Sequence, residues 1–399
     1  MVEHLLEGGF LVHSDLNELE WLQSAFEALH GDQRSAAVTI APTIWCNLDC
    51  IYCFEGPKPR AKMTKETEAK VTRYFDSGLK SLSVAWYGGE PLLVIDTIER
   101  LSSEIRSLCL DHQVELRQSI ITNGVLLSKE MASRLSRMGV NQVQVTVDGV
   151  RETHDRQRPF LGGGRKSSYD LIMKNLEAAA GVIPIAVRIN VMRDNADSVL
   201  DLVRKFRDLG MLGRGKGFQF YFAQVKDSAT HSGSPGCKDT TGTCLDRKEF
   251  SQLEASLNAQ LIREGVAVRK FATLALSGCG TVSPTGVVIG PHGELYKCWE
   301  SVGREDQIVG SVTDNPAEDM GQSSLMRYWA SWNPFQDSDC VDCRVLPLCM
   351  GGCPAHALKH GRSAGVNCTS WKFSLEQGIT NYLDALGTSD TGAIESPKK

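Results

Sequence analysis

The sequence predicts an α/β protein in which a parallel sheet curls into a partial (β/α)6 barrel, followed by a cysteine-rich C-terminal domain. Six strand-like segments alternate with helical ones between residues 37 and 224, a pattern typical of βα units on a parallel sheet. Right-handed crossovers curl such a sheet, and six units rather than eight leave the barrel open on one side. Ten of the 13 cysteines fall in two groups, at 46–53 and 279–368, which places the second group after the barrel.

Length, charge and hydropathy exclude several classes of protein. The chain has 399 residues, enough for one large domain and a smaller one. Its net charge of −5 gives no electrostatic footprint for nucleic acid and no polybasic membrane signal. The start lacks the basic segment of a signal peptide, and no apolar run approaches membrane-spanning length. We therefore expect a cytoplasmic protein with no nucleic-acid or membrane partner.

Residues 1–36 are predicted to form a helical lead. Asp15 and Glu18 fit a capping box, with Asp15 as the N-cap and Glu18 three residues later. Gly31 is the expected end of this helix. Apolar residues recur between them at helical spacing: Leu16, Leu19, Leu22, Phe26 and Leu29. The simplest interpretation is a helix that packs against the main domain, although a role in peptide recognition is an alternative.

The barrel is predicted over residues 37–245. Its strands are expected at 37–40, 82–87, 114–121, 141–147, 183–191 and 217–224, and its helices near 64–77, 94–112, 128–138, 167–181 and 197–209. In βα barrels the chemistry belongs at the C-terminal ends of the strands. The polar stretch 226–244 is expected to be a mobile loop beside the barrel mouth.

The remaining boundaries follow from helix patterns and cysteine spacing. We expect connecting helices over 246–278, a cysteine-rich domain over 279–375, and a helix end with a disordered tail over 376–399. Clustered cysteines in a large cytosolic chain indicate metal or redox chemistry rather than disulfides. Cys109, Cys237 and Cys244 lie outside the clusters and are expected to be ordinary buried or loop thiols.

The cysteine motif of the barrel is Cys46-x3-Cys50-x2-Cys53, which follows the first strand. A thiol cluster on a loop after a strand is typical of a soft metal or an iron–sulfur cluster. Three thiols leave one iron of a [4Fe–4S] cluster without a protein ligand, which is useful where another molecule must bind. A structural zinc site is the alternative, but no histidine lies at ligand spacing.

This spacing, with Tyr52 directly before the last cysteine, resembles the signature of the radical S-adenosylmethionine (radical SAM) enzymes. The resemblance implies that Cys46, Cys50 and Cys53 hold a [4Fe–4S] cluster whose open iron is chelated by SAM. It also implies that SAM is cleaved reductively to a 5′-deoxyadenosyl radical.

Two further motifs end the second and third strands. Gly88-Gly89-Glu90 resembles the family's GGE motif, which holds the amino group of SAM, and the alternative is a simple strand-to-helix turn. Thr122-Asn123-Gly124 resembles the family's TNG motif, a weak signal because Asn-Gly is also a common turn.

The fourth and fifth strands end in polar residues that share a face. Thr146 and Asp148 could reach the SAM ribose or the substrate, since strand residues two apart point the same way. Arg188 is predicted to face the SAM carboxylate, and a structural salt bridge is the alternative. His154-Asp155 and Arg158, with the glycine run 162–164, resemble a segment of peptide- and protein-modifying family members.

The second cysteine group resembles the SPASM domain, a C-terminal extension that carries auxiliary [4Fe–4S] clusters. Its seven members are Cys279, Cys298, Cys340, Cys343, Cys349, Cys353 and Cys368. The resemblance implies an outer cluster held by Cys340, Cys343, Cys349 and Cys368. It implies an inner cluster held by Cys279, Cys298 and Cys353. Either Cys237 or Cys244 completes the inner set, or one inner iron is open. A zinc ribbon is the alternative.

One departure from the family bears on the reaction. Anaerobic sulfatase maturases place a catalytic Asp directly after the cysteine that matches Cys298, whereas this chain has Trp299 and Glu300 there. The sulfatase role is therefore disfavoured. The candidate catalytic residues are Glu300 and Asp148.

The resemblance implies a radical SAM/SPASM enzyme that modifies a ribosomally synthesised precursor peptide. The product would be a cross-link, a ring or an oxidation, including a thioether. The implied cofactors are SAM and three [4Fe–4S] clusters, one SAM-binding and two auxiliary, and a flavodoxin or ferredoxin-like protein is the implied reductant. The alternatives are formylglycine formation on a sulfatase, oxidation of a small-molecule alcohol, and an iron–sulfur electron carrier without a substrate.

Overall fold

The structure, a computed structural model, describes most of the chain. The described residues are 12–55, 58–75, 78–164, 166–213, 217–225, 244–268, 272–312, 324–361 and 367–388. The predicted mobile loop at 226–244 lies outside these residues except for Cys244, and the predicted tail lies outside them after residue 388.

A single sheet forms the centre of the fold, and its first six strands are parallel. They are β1 (Ser35–Ile40), β2 (Ser81–Trp86), β3 (Glu115–Thr122), β4 (Val140–Thr146), β5 (Ile185–Val191) and β6 (Phe218–Gln224). The strand order is β6-β5-β4-β3-β2-β1, continued by three short strands beside β1. The sheet therefore has two free ends, and the predicted open barrel is confirmed.

Helices connect the parallel strands, five of them as the alternating pattern predicts, whereas the helix at Arg151–Gln157 was not predicted. They are α2 (Lys65–Tyr74), α3 (Ile95–Asp111), α4 (Lys129–Arg137), α5 (Arg151–Gln157), α6 (Ser168–Ala179) and α7 (Ala196–Asp208), after an initial helix α1 (Glu18–Gly31). Short polar side chains begin several of them. Ser128, for example, accepts a hydrogen bond from Met131 N and caps α4.

Small side chains line part of the concave face of the sheet. Ala37 pairs with Ser83, and Thr39 pairs with Ala85, which in turn pairs with Ser119. Because these side chains fill little space, a cavity of about 740 Å³ remains between the sheet and the C-terminal region. Cysteines of the second group line this cavity together with residues of the sheet.

The cysteine-rich C-terminal region is joined to the barrel through the sheet itself. Its strands are β7 (Val287–Ile289), β8 (Glu294–Tyr296) and β9 (Gly310–Ser311). Strand β7 runs parallel to β1, with Val38 opposite Val287, and β8 and β9 continue as antiparallel strands. Sequence analysis did not predict these strands.

The helices that follow the barrel are mostly short. They are α8 (Arg247–Arg263), α9 (Ser324–Ala330), α10 (Ser338–Val341), α11 (Leu346–Cys349), α12 (Pro354–His360) and α13 (Trp371–Thr388). Helix α13 packs on α8, where Ser251 Oγ bonds Ser374 Oγ at 2.7 Å. Among the described helices, none is both long and apolar enough to cross a membrane.

Helix α1 differs from its prediction in two respects. Asn17, not Asp15, is the N-cap, and its side chain accepts from Glu20 N, so the capping box of Asp15 and Glu18 is wrong. The buried residues Leu22 and Phe26 pack against the C-terminal region, so the predicted contact with the main domain is also wrong. A local pattern fixes which face of a helix is apolar, but it does not identify the distant surface that covers it.

Candidate functional site

The first cysteine motif lies on the loop after β1, and a second segment of the chain holds it in place. Asp49 N donates to Pro159 O at 2.8 Å, and Ile51 N donates to Gln157 O at 3.0 Å. Leu48 pairs with Phe160 in an antiparallel bridge. The cysteine loop is thus held by the segment directly after α5, which sequence analysis identified only by its resemblance to peptide-modifying enzymes.

Tyr52 joins this loop to the ends of two strands. Its hydroxyl donates to the carboxylate of Asp148 after β4 and accepts from Asn190 Nδ2 on β5 at 2.9 Å. It also accepts from Arg158 Nη1 at 2.8 Å. Burial is the main cause that raises the pKa of Asp148 and of Tyr52. The side chain between Cys50 and Cys53 is therefore fixed by three partners.

The segment of His154 and Asp155 supports the same region from behind. The Nδ1 atom of His154 accepts from the backbone N–H of Asp148 at 3.2 Å, so its proton is on Nε2. Burial lowers the pKa of His154 well below its usual value, which keeps the ring neutral. Asp155 accepts from Ser168 Oγ and Tyr169 N and thereby holds the start of α6. Both side chains have structural partners within the protein.

Glu90 connects the GGE motif to the TNG motif. Its Oε1 accepts from Thr122 Oγ1 at 2.7 Å and from Leu92 N at 3.0 Å, and its Oε2 accepts from Asn123 N at 2.7 Å. The side chain is fully buried, and burial raises its pKa. In this structure the carboxylate positions the third strand's polar end, and a contact with SAM stays a prediction.

The two glycines of the motif allow the end of β2 to approach the cysteine loop. A Cβ on Gly88 would lie 2.0 Å from Thr43 O, and Gly88 has a φ of +117°. A Cβ on Gly89 would lie 2.4 Å from the carbonyl oxygens of Ile44 and Trp45. No other residue fits at such distances, because both neighbours are backbone atoms.

These elements surround a cavity of about 280 Å³ at the C-terminal ends of the strands. Of the predicted SAM and cluster residues, the cavity is lined by Cys46, Cys50, Tyr52, Cys53, Gly88, Gly89, Thr122, Asn123, Thr146 and Arg188. Glu90 and Asp148 lie behind its wall. Arg188 Nε donates to Asn190 Oδ1 at 2.9 Å, and within the described residues it has no carboxylate partner. The structural salt bridge considered for Arg188 is therefore not formed there.

Two charged residues on this wall were missed by sequence analysis. Lys58 Nζ donates to Leu48 O at 2.8 Å and lies 3.7 Å from Asp49 Oδ1. Glu55 is buried beside Tyr87, and burial raises its pKa to about 7. Their only sequence signal is that they follow Cys53 within five residues.

The donor set fits an iron–sulfur cluster. None of the ten predicted ligands is in a disulfide, and those of the first motif share one cavity wall. In the described parts of the chain, no three His, Cys, Asp or Glu side chains converge on a point where one ion would be held. Three thiols on one cavity wall suit a multi-iron cluster better than a single ion. Burial raises the pKa of Cys46 and Cys53 to about 12, so loading must displace their protons.

The second cysteine group lines the larger cavity. Cys279, Cys298, Cys353 and Cys368 all contribute to its wall. A Cβ on Gly352 would lie 1.9 Å from Asn367 O, so this glycine lets the Cys353 and Cys368 segments meet. The structure thus brings the three predicted inner ligands together and adds Cys368, which the resemblance assigns to the outer cluster.

The other predicted outer ligands do not line this cavity. Cys340 and Cys349 lie at the short helices α10 and α11, and Cys343 lies between them. Lys372 Nζ donates to Cys343 Sγ at 3.0 Å. Cys244, expected to be an ordinary thiol, is disulfide-bonded, so in this state it supplies no thiol to the inner set. Cys237 lies outside the described residues.

The two cavities meet at Trp299 and Glu300, which line both. The Trp299 ring stacks on Tyr87 with centroids 5.8 Å apart and is 43% exposed. A molecule in one cavity therefore contacts the same short turn as a molecule in the other. Glu300, one of the two catalytic candidates from the sequence, therefore lies at this junction.

Comparison with known proteins supports the fold. Residues 40–206 match the family model described as the radical SAM superfamily. Over 88% of this chain and 76% of its own length, the radical SAM cyclopropyl synthase TigE of Paramaledivibacter caminithermalis is 24% identical. The serine-type anaerobic sulfatase-maturating enzyme of Klebsiella aerogenes is 22% identical over 78% of this chain and 77% of its length. The chain spans about half the length of two other curated relatives, 43% and 51%.

Solved structures agree with the fold. The enzyme anSMEcpe, with bound AdoMet and the Cp18Cys peptide, superposes with a TM-score of 0.65 at 18% identity over 88% of this chain and 98% of that one. SuiB of Streptococcus suis, bound to its precursor peptide SuiA, gives a TM-score of 0.59 at 15% identity over 92% and 85%. At these identities the likeness concerns the fold alone.

Proposed function

We propose a function on the premise that this chain belongs to the radical SAM superfamily, whose domain covers residues 40–206. The protein is an enzyme that modifies a residue within a ribosomally synthesised precursor peptide and leaves a cross-link, a ring or an oxidised residue. A thioether is one such product. This proposal uses the function of relatives such as TigE, but it depends on features of this chain.

The observation that carries the proposal is the junction of the two cavities. The thiols of the first motif line the smaller cavity, four C-terminal thiols line the larger one, and Trp299 and Glu300 belong to both. A peptide segment in the larger cavity would thus place one residue beside the smaller cavity. A volume of about 740 Å³ is enough for several side chains.

We assign the SAM-binding cluster to the smaller cavity and the inner auxiliary cluster to the larger one. Cys46, Cys50 and Cys53 hold the SAM-binding [4Fe–4S] cluster. The seven C-terminal cysteines hold two auxiliary clusters, in the arrangement of a SPASM domain. When bound, the first cluster and SAM supply the radical that removes a hydrogen atom from an unactivated carbon.

The protein's own residues position these groups. Thr122, Asn123, Thr146 and Arg188 offer hydrogen bonds to SAM from the cavity wall. Arg188 suits a carboxylate because its guanidinium forms paired hydrogen bonds. Asp148 acts through Tyr52 and fixes the cysteine loop. Trp299 and Glu300 contact the target residue at the junction of the two cavities.

Mass spectrometry tests the proposal. Peptides translated from short open reading frames beside the gene are incubated anaerobically with the reconstituted protein, SAM and a strong reductant. We expect one peptide to lose a pair of hydrogen atoms, with 5′-deoxyadenosine formed alongside. The matched control is the Cys46→Ala, Cys50→Ala, Cys53→Ala variant, which should give neither product.

Sulfatase maturation is the second candidate, because the Klebsiella aerogenes relative aligns over 78% of this chain. Its test is a sulfatase-derived peptide with a Cys or Ser target in the same assay. Formation of formylglycine, with no change in any peptide from the neighbouring reading frames, would overturn the proposal of a precursor-peptide enzyme.

A further inference from the structure

Arg247 lies on the wall of the large cavity that four of the C-terminal thiols line. It is the first residue of α8 and lines the same large cavity as Cys279, Cys298 and Cys353. A capping box fixes this end of the helix, since Asp246 accepts from Glu249 N and Glu249 accepts from Asp246 N. The backbone that carries Arg247 is therefore held in one position.

The guanidinium of Arg247 has no acidic partner in the described residues. Its Nε is buried and makes no hydrogen bond, and no carboxylate there lies within ion-pair distance. Its ionisable neighbours are Cys353 and Cys368, which line the same cavity, together with Cys349 and Glu254. Burial lowers its pKa, and these neighbours raise it. An arginine remains charged even so.

A half-buried charge whose Nε lacks a hydrogen bond is stabilised by a negative group beside it. Thiolates that hold a cluster provide this negative charge. A second cation lies on the same wall: Lys297 Nζ is 2.6 Å from Ser283 O and also bonds Gly286 O. Its two bonds are to neutral carbonyls, and its charge lies near Cys279. Two cations therefore share the cavity with the thiols.

We propose that Arg247 is the positioning residue of the auxiliary clusters, with its charge shared between the thiolates of the inner and the outer set. This proposal rests on the proposed function, because it requires that the C-terminal thiols hold clusters. The resemblance to the family assigned no role to Arg247 or Lys297.

The charge has a defined consequence for electron transfer. When a cluster is bound, reduction adds a negative charge to it, and a nearby guanidinium stabilises the reduced form more than the oxidised form. Arg247 would therefore raise the reduction potential of a cluster held by the thiols that line its cavity.

The experiment uses the full chain with Cys46, Cys50 and Cys53 changed to Ala, so that only the auxiliary clusters remain. Iron is counted, and reduction potentials are measured by redox titration followed by electron paramagnetic resonance. Arg247→Gln removes the charge, Arg247→Lys retains it, and Lys248→Gln removes a charge from the adjacent exposed side chain as the control. No step of this measurement depends on activity.

We expect about eight irons in the parent and in the control. Arg247→Gln should lower the reduction potential of an auxiliary cluster by about 59 mV or more. For one electron this is a tenfold change in the electron-transfer equilibrium constant. Arg247→Lys should lie closer to the parent. If Arg247→Gln loses iron, retention of all the iron by Arg247→Lys supports the role of the charge, and loss of iron from both overturns it.

The remaining outcomes separate this proposal from the proposed function. About eight irons with unchanged potentials in Arg247→Gln would overturn the role of Arg247 alone. A parent without iron would overturn the auxiliary clusters and the role of Arg247 together.

Discussion

Tyr52 carries three hydrogen bonds on one hydroxyl oxygen, and each partner comes from a different part of the barrel. Asp148 follows β4, Arg158 follows α5, and Asn190 lies on β5. Asp148 is fully buried, so it depends on these contacts to offset the cost of burying a carboxylate. The tyrosine between two cysteines thereby determines where the loop lies.

Removal of this hydroxyl tests its structural role. Tyr52→Phe should lower the free energy of unfolding of the iron-free protein by about 1–3 kcal/mol, because buried polar partners lose their hydrogen bond. Chemical denaturation measures the change. Tyr221→Phe is the matched control, since its hydroxyl donates to Gln144 at a position where the residue is 40% exposed. An equal loss in both variants would contradict the role given to Tyr52.

At the residue scale, the sequence predicts which residues belong to the site but not which groups their side chains bond. Tyr52 is recognised from its place before Cys53, whereas its bonds span 96, 106 and 138 residues along the chain. Glu90 is similar, because its motif is visible in the sequence but its bonds to Thr122 and Asn123 are not. Lys58 and Glu55 carry no periodic signal, so only the folded chain reveals that they line the cavity.

At the scale of elements, the cysteine loop and the end of β2 are packed backbone to backbone. Gly88 and Gly89 are required by this contact, as the short distances to carbonyl oxygens show. The contact links two motifs that are distant in sequence, since 34 residues lie between Cys53 and Gly88. A substitution in one motif should therefore displace the backbone of the other.

Gly89→Ala tests this link. The added Cβ must displace the carbonyls of Ile44 and Trp45, so the loop should lose its cluster and SAM should no longer bind. We expect a loss of about four irons per chain, measured by iron analysis and by equilibrium dialysis with labelled SAM. Gly31→Ala is the control, because an added Cβ there meets nothing within 4 Å. Retained iron and SAM binding in Gly89→Ala would show that the loop does not depend on this approach.

The boundaries of the barrel elements follow from local signals, and they were predicted to within a few residues. The third strand, expected at 114–121, is Glu115–Thr122, and the helix expected at 197–209 is Ala196–Asp208. The cap of α1 failed because Asn17 competes with Asp15 and lies closer to the first helical turn. Strands of two or three residues, such as β7 to β9, are too short to show any periodicity.

At the scale of the whole molecule, the N-terminal helix and the C-terminal region stabilise each other. Leu22 and Phe26 of α1 are buried against Leu346 and Met350. Phe26 also lies 5.6 Å from Phe335 between ring centroids. Residues from the two ends of the described chain thus form one apolar cluster beside the predicted outer ligands.

Phe26→Ala should destabilise this cluster by about 3–5 kcal/mol, the usual cost of removing a buried aromatic side chain. We expect the C-terminal region to unfold first, with earlier proteolysis there than in the barrel. Limited proteolysis and denaturation measure the effect. Leu29→Ala, on the same helix but 48% exposed, should change little. Simultaneous cleavage of barrel and C-terminal region would contradict a local role for α1.

We propose that three sets of thiols hold three clusters around one substrate space. The most direct measurement is the iron content of the anaerobically reconstituted chain and of variants that lack one set. We predict about twelve irons in the parent and about eight in the Cys46→Ala, Cys50→Ala, Cys53→Ala variant. The Cys279→Ala, Cys298→Ala, Cys353→Ala variant should also hold about eight. About four irons in the parent, or zinc in place of iron, would contradict the claim.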